Sequence, residues 1–149
     1  MRVREALADC EARLAAAGKT EPRTDARRLL GHILSVESAD IISRSGEQVP
    51  PELLKALHDA IDRRICGEPV SRIIGVRHFR DLELRVTRDV LDPRPETELL
   101  VERALAWAPS GAFRFADIGT GSGAIAIAML RERKDARSIV CDISPAALD

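Results

Sequence analysis

Apolar positions in the first 66 residues fall into three helical stripes. Val3, Leu7, Cys10 and Leu14 form the first, which stops at Gly18. Ala26, Leu29, Leu30, Ile33 and Leu34 form the second, entered through Pro22, Thr24 and Asp25. Leu54, Leu57, Ile61 and Ile65 form the third, with Pro50 and Pro51 before it and Gly67 after it. Each stripe has a polar reverse face, so the three must bury against one another, and a small helical bundle is expected over residues 1–66. The pattern fits a plain scaffold and a partner-binding domain equally well.

From Gly67 the period shortens. Val76 to Phe79 and Leu82 to Val86 flank Arg80-Asp81, and Leu82, Leu84 and Val86 alternate with Glu83 and Arg85, as in a half-buried hairpin strand. The turn Arg80-Asp81 carries an Asp, which tolerates the left-handed conformation better than most residues. This makes residues 67–90 a β-hairpin connector. Two prolines then stiffen Leu91-Asp92-Pro93-Arg94-Pro95-Glu96-Thr97-Glu98 just before a helix from about Glu96 to Trp107. Such a segment can hold Arg94, Glu96 and Glu98 over a pocket, or serve only as a linker with an acidic helix start. Finally, Phe113 to Ile118, a glycine-rich loop, Ala124 to Arg133 and Ser138 to Asp142 read as strand, loop, helix and strand. Residues 91–149 are thus expected to hold a βαβ unit whose apolar strands are buried on both faces of a parallel sheet, an α/β class.

Composition narrows the chemistry. The chain has 149 residues, 45% of them hydrophobic, and a net charge of -1; the pI is near 6.3. There is no basic field to attract nucleic acid, and pairs such as Arg27-Arg28 and Arg63-Arg64 are spaced like solvated helix faces. Cys10, Cys66 and Cys141 are odd in number and far apart, which predicts reduced, buried thiols. His32, His58 and His78 sit singly and lack the spacing of a zinc site. With no run approaching the ~20 apolar residues of a membrane span and no signal-type core near Met1, a cytoplasmic chain without metal or membrane contact is expected.

The loop Asp117-Ile118-Gly119-Thr120-Gly121-Ser122-Gly123 carries the most chemistry. Glycines let backbone N–H groups approach a ligand with no Cβ in the way, and the following helix brings its positive end to the same place. Gly-x-Gly-x-Gly alone fits a plain turn, and with Ala124 it also satisfies the dinucleotide variant. Asp117 tilts the choice: a carboxylate at the strand's end suits the cationic sulfonium and ammonium of S-adenosylmethionine and would repel a diphosphate. Asp142, 23 residues after Gly119, stands where either cofactor's ribose needs an acceptor. A P-loop is excluded, since no Gly-Lys-Ser/Thr follows.

Taken in order, Gly67-Glu68-Pro69-Val70, Ile73-Ile74-Gly75, His78-Phe79, the Leu91 to Glu98 block, Asp117 to Gly123 and Ser144 to Leu148 resemble the release factor glutamine methyltransferases, the PrmC/HemK family. Pro93-Arg94-Pro95-Glu96-Thr97-Glu98 is the most specific part of this likeness. The resemblance implies a helical domain that helps grip a class I release factor, a hairpin connection, and a Rossmann-like domain that uses S-adenosylmethionine to methylate the glutamine amide of a Gly-Gly-Gln motif. It implies that Gly119, Thr120, Gly121, Ser122, Gly123 and Asp142 hold the cofactor, that Asp117 lies beside the cofactor's amino-acid end, and that Phe79, Arg94, Glu96 and Thr97 border the pocket. Arg72 and Asp81 stand where many relatives have an aromatic residue and a glycine.

One departure is large. The family's catalytic Asn-Pro-Pro-Tyr has no counterpart, because the chain contains neither asparagine nor tyrosine. The resemblance therefore implies a C-terminally truncated, inactive chain with no catalytic residue of its own, monomeric if folded. Two strands without the rest of their sheet are expected to leave apolar faces and edge N–H groups unpartnered, so that residues 1 to about 66 fold while the segment after about Gly111 is loosely ordered or aggregates. The alternatives are a non-catalytic module that binds a release factor and, more distantly, a fragment of a nicotinamide-dependent oxidoreductase.

Overall fold

A computed structural model describes residues 1–148. The chain divides into two compact units, Met1–Ile74 and the residues from Gly75 onward.

The first unit contains α1 (Val3–Ala16), α2 (Pro22–Leu34), α3 (Pro51–Ile65) and the short α4 (Val70–Ile74). Each of α2 and α3 begins with proline, whose fixed φ suits a first helical position and whose missing N–H would have had no helical partner there. Arg2 starts α1, its backbone N–H donating to Glu5 Oε2 at 2.8 Å. Val3, Ala6, Cys10 and Leu14 of α1, Ala26, Leu29 and Leu30 of α2, and Leu57, Ala60 and Ile61 of α3 close one core. Ile41, Val49 and Val70 complete it from outside the three long helices. The unit extends through α4, past residue 66 where the apolar stripes end.

Charge enters this core at one point. Asp25 is 6% exposed, and Arg64 Nε donates to its Oδ2 at 2.7 Å, tying the start of α2 to the end of α3. The expectation of a solvated face holds for Arg63, which is exposed and makes a forked contact with Glu68, but not for Arg64, which partners a buried acid. Helical spacing alone cannot show this, because the acid that recruits Arg64 lies on another helix.

The second unit opens with β1 (Val76–Phe79) and β2 (Leu82–Arg85), an antiparallel hairpin in which Phe79 faces Leu82. The left-handed turn residue is Arg80, with φ of 53°, rather than Asp81. Tertiary partners account for it: Arg80 N–H donates to Glu98 Oε1 at 3.1 Å, and its guanidinium lies 3.5 Å from Glu102 and 3.8 Å from Glu132. Those acids belong to α5 (Pro95–Trp107) and α6 (Ala124–Glu132), so the turn is held by the two helices.

β3 (Arg114–Ile118) and β4 (Arg137–Cys141) pair in parallel on either side of α6, with Ala116 opposite Ile139 and Ile118 opposite Cys141. Phe79, Leu82 and Leu84 of the hairpin, Val101 of α5, and Ala124, Ala128 and Met129 of α6 form the core, with Phe113, Phe115 and Ile125 packed against it. The strands are not buried on both faces, however. Ile118 is 81% exposed and Ile139 is 73% exposed. The sheet has only two strands, α5 and α6 pack with the side that carries Phe115, and no described residue covers the other side.

Candidate cofactor site

The turn from β3 to α6 needs three left-handed residues, and glycine occupies each one: φ is 78° at Gly119, 55° at Gly121 and 74° at Gly123. Gly119 N–H and Thr120 N–H both donate to the Cys141 carbonyl, at 2.8 and 3.1 Å, which fastens the loop to the end of β4. Gly123 N–H turns back to the Thr120 carbonyl at 2.9 Å. A Cβ at Gly119 or Gly121 would meet nothing within 4 Å, so this side of the loop is open to a ligand.

Two carboxylates hold the loop from opposite ends. Asp142 Oδ2 accepts from Gly121 N–H at 2.8 Å and its Oδ1 accepts from Ser144 N–H at 2.9 Å. These N–H groups, Ser144 first and Gly121 second, hold the Asp142 carboxyl below the usual aspartate value. Asp117 is 9% exposed, and its Oδ2 accepts from the Thr120 hydroxyl at 2.9 Å and from Ala126 N–H at 3.3 Å. Its carboxylate is thus turned toward α6. Among the described residues, Ser122, Ala124 and Ile125 keep N–H groups without a protein acceptor, at the positive end of α6.

Beside the loop lies a half-open cleft of about 430 Å³. Ser122, Ile127, Leu84, Val90, Ala146 and Ala147 are among the residues that line it. Of the residues expected from the sequence, Thr120 is hydrogen-bonded to Asp117 and Gly121 to Asp142, while Ser122 lines the cleft. The structure does not bring the expected border there. Phe79 is 1% exposed in the core, while Arg94, Glu96 and Thr97 sit on the first turn of α5 and line no part of this cleft. The block's clearest contact is through Glu98, which accepts from Arg80. Leu84 also lines the cleft, which its alternation with Glu83 and Arg85 does not reveal because it signals burial only, and so does Val90, in the bend after the hairpin.

The thiols also differ from expectation. Cys10 is buried, and burial pushes its thiol up to about 11, but Cys66 and Cys141 are exposed. Cys66 falls just past the end of α3, and β4 lies on the uncovered sheet.

Residues 5–75 match the PrmC N-terminal domain. Over nearly all its length the chain also aligns with proteins named release factor glutamine methyltransferase. That of Cereibacter sphaeroides is 45% identical over 148 residues, 99% of this chain and 52% of the relative. The chain is similar to this family over nearly its whole length. The Rhodospirillum rubrum relative is 44% identical over 136 residues, 91% of the chain and 42% of the relative. The Escherichia coli relative is 39% identical over 146 residues, 98% of the chain and 50% of the relative. The chain therefore spans about half the length of these curated relatives. Among the described residues, no helix is long and apolar enough to cross a membrane.

Proposed function

We propose that the chain carries the cofactor-binding part of a release factor glutamine methyltransferase and that its cofactor is S-adenosylmethionine. The observation that carries this reading is the β3–loop–α6–β4 unit: left-handed Gly119 and Gly121 leave an open side, and Asp142 just after β4 is hydrogen-bonded to the same loop. The donor set suits the group. Free N–H donors at the start of α6 fit the cofactor's carboxylate, and Asp142, whose oxygens can each accept more than one hydrogen bond, remains able to take a ribose hydroxyl. Thr120 and Ser122 add hydroxyls beside them.

When bound, S-adenosylmethionine supplies a methyl group on a cationic sulfur. In the whole protein, the acceptor would be the side-chain amide nitrogen of the glutamine in a class I release factor's Gly-Gly-Gln motif. An amide nitrogen is a weak nucleophile because its lone pair is delocalised, so orientation has to supply much of the catalysis, roughly 7 to 11 kcal/mol in favourable cases. The family resemblance assigns that orientation to Asn-Pro-Pro-Tyr, and these 149 residues contain no asparagine or tyrosine. We therefore propose that this chain binds the cofactor within the first part of a Rossmann-like domain but does not transfer methyl. Its setting would be the cytoplasm, as a monomer, with no direct nucleic-acid partner.

Calorimetric titration with S-adenosylhomocysteine is expected to show one site, and NAD none. Binding of NAD in preference would replace this reading with the nicotinamide one. Methyl transfer from labelled cofactor to a release factor would disprove the inactivity. The separate core of Met1–Ile74 favours one further role, holding a release factor, which a pull-down insensitive to cofactor would support.

A further inference from the structure

Gly123 is the N-cap of α6, and its left-handed φ of 74° is one that glycine adopts without strain. That choice has a consequence. Helix N-caps are normally Ser, Thr, Asp or Asn, whose side-chain oxygen takes an N–H of the first turn, and glycine has no side chain to do so. The missing acceptor comes from β3. Asp117 Oδ2 accepts from Ala126 N–H, the third residue of α6, at 3.3 Å, and from the Thr120 hydroxyl at 2.9 Å. One carboxylate oxygen therefore caps the helix and also fastens the middle of the loop. Asp117 is 9% exposed, and among the described residues no Lys or Arg forms an ion pair with it. Its charge is met by hydrogen-bond donors and by the positive end of α6.

We propose that Asp117 is a positioning residue, which shapes the glycine loop for its cofactor through Thr120 and Ala126 rather than by contact with the cofactor's ammonium group. This rests on the reading of the loop as an S-adenosylmethionine site, and it departs from the direct contact expected from the sequence. Two ligands separate the roles. S-adenosylhomocysteine carries the amino-acid end, whereas 5′-methylthioadenosine has the same adenosine and thioether but no ammonium. A positioning residue affects both; a direct ammonium contact affects only the first.

The experiment is calorimetric titration of both ligands into the full chain and into Asp117→Ala, Asp117→Asn and Thr120→Val, with amide exchange at Ala126 measured in the ligand-free proteins. Asp117→Ala is expected to weaken both ligands by a similar factor, about fivefold to tenfold, the size of a lost helix cap. It should also speed exchange at Ala126. Asp117→Asn, which keeps one acceptor oxygen but no charge, should restore most of both effects, and Thr120→Val should weaken both ligands in the same direction. Loss confined to S-adenosylhomocysteine, without rescue by asparagine, would overturn the proposal. So would unchanged Ala126 exchange in Asp117→Ala. If Asp117→Ala does not fold, unequal losses for the two ligands in Asp117→Asn or Thr120→Val overturn it equally. If the unsubstituted chain binds neither ligand, the cofactor reading itself falls and the positioning role with it.

Discussion

Leu29 and Ile139 are both aliphatic residues in the middle of a regular element, yet Leu29 is wholly buried and Ile139 is 73% exposed. Leu29 lies on a helix whose apolar stripe meets two others within the same 74 residues, so three local elements suffice to close a core. Ile139 lies on a strand, and a strand needs neighbours at both edges and cover on both faces. The second unit supplies one neighbour and one cover. Apolar content thus identifies an element without saying whether the element is covered.

The largest expected effect is in the closed unit. Arg64→Ala leaves the buried Asp25 carboxylate without its cation, and should cost about 3 kcal/mol in urea unfolding. In the open unit, Arg131 pairs with Asp81 at 2.6 Å, no longer than the 2.7 Å of Arg64 and Asp25, but both side chains are more than half exposed, and Arg131→Ala should cost less than about 1 kcal/mol. Equal losses would break the contrast between the units.

Next is Gly31. A Cβ there would stand 2.9 Å from the Val36 carbonyl oxygen and 3.3 Å from the Ser38 backbone, neither of which can swing aside as a side-chain tip can. Gly31→Ala is expected to lose about 1–3 kcal/mol by thermal or urea unfolding, despite alanine's better helix propensity. A gain in stability would show that the loop after α2 yields more easily than a packed core should.

The smallest effect is expected on the bare sheet face. Ile139→Lys should change stability by no more than about 0.5 kcal/mol while raising solubility. A loss above about 2 kcal/mol, dependent on protein concentration, would mean that another copy covers this face in solution.

Much of the architecture was legible because it rests on local period. Three stripes gave three helices, alternation around Leu82, Leu84 and Val86 gave the hairpin, and the glycine loop between two apolar runs gave the parallel βαβ unit. What stayed hidden depends on residues distant in sequence. Arg80 is left-handed in a setting of acids on two helices, the nearest of them 18 residues away. Arg64 leaves solvent because Asp25 is buried on another helix. Around the glycine loop, the sequence pattern does not carry the direction of the Asp117 carboxylate, which goes with Gly123 having no side chain to cap α6. The border residues of the Leu91 to Glu98 block lie away from this cleft for a related reason: a proline-stiffened block announces a rigid segment but not where it points.

The attachment of the loop to β4 bears on how this region can evolve. Gly119 and Thr120 both bind the carbonyl of Cys141 and make no use of its exposed thiol. Every amino acid carries that carbonyl, so position 141 can drift freely as far as the loop is concerned, one step away from Asp142, whose side chain the loop does require. Adjacent residues thus face opposite selective constraints, set only by whether the loop engages backbone or side chain.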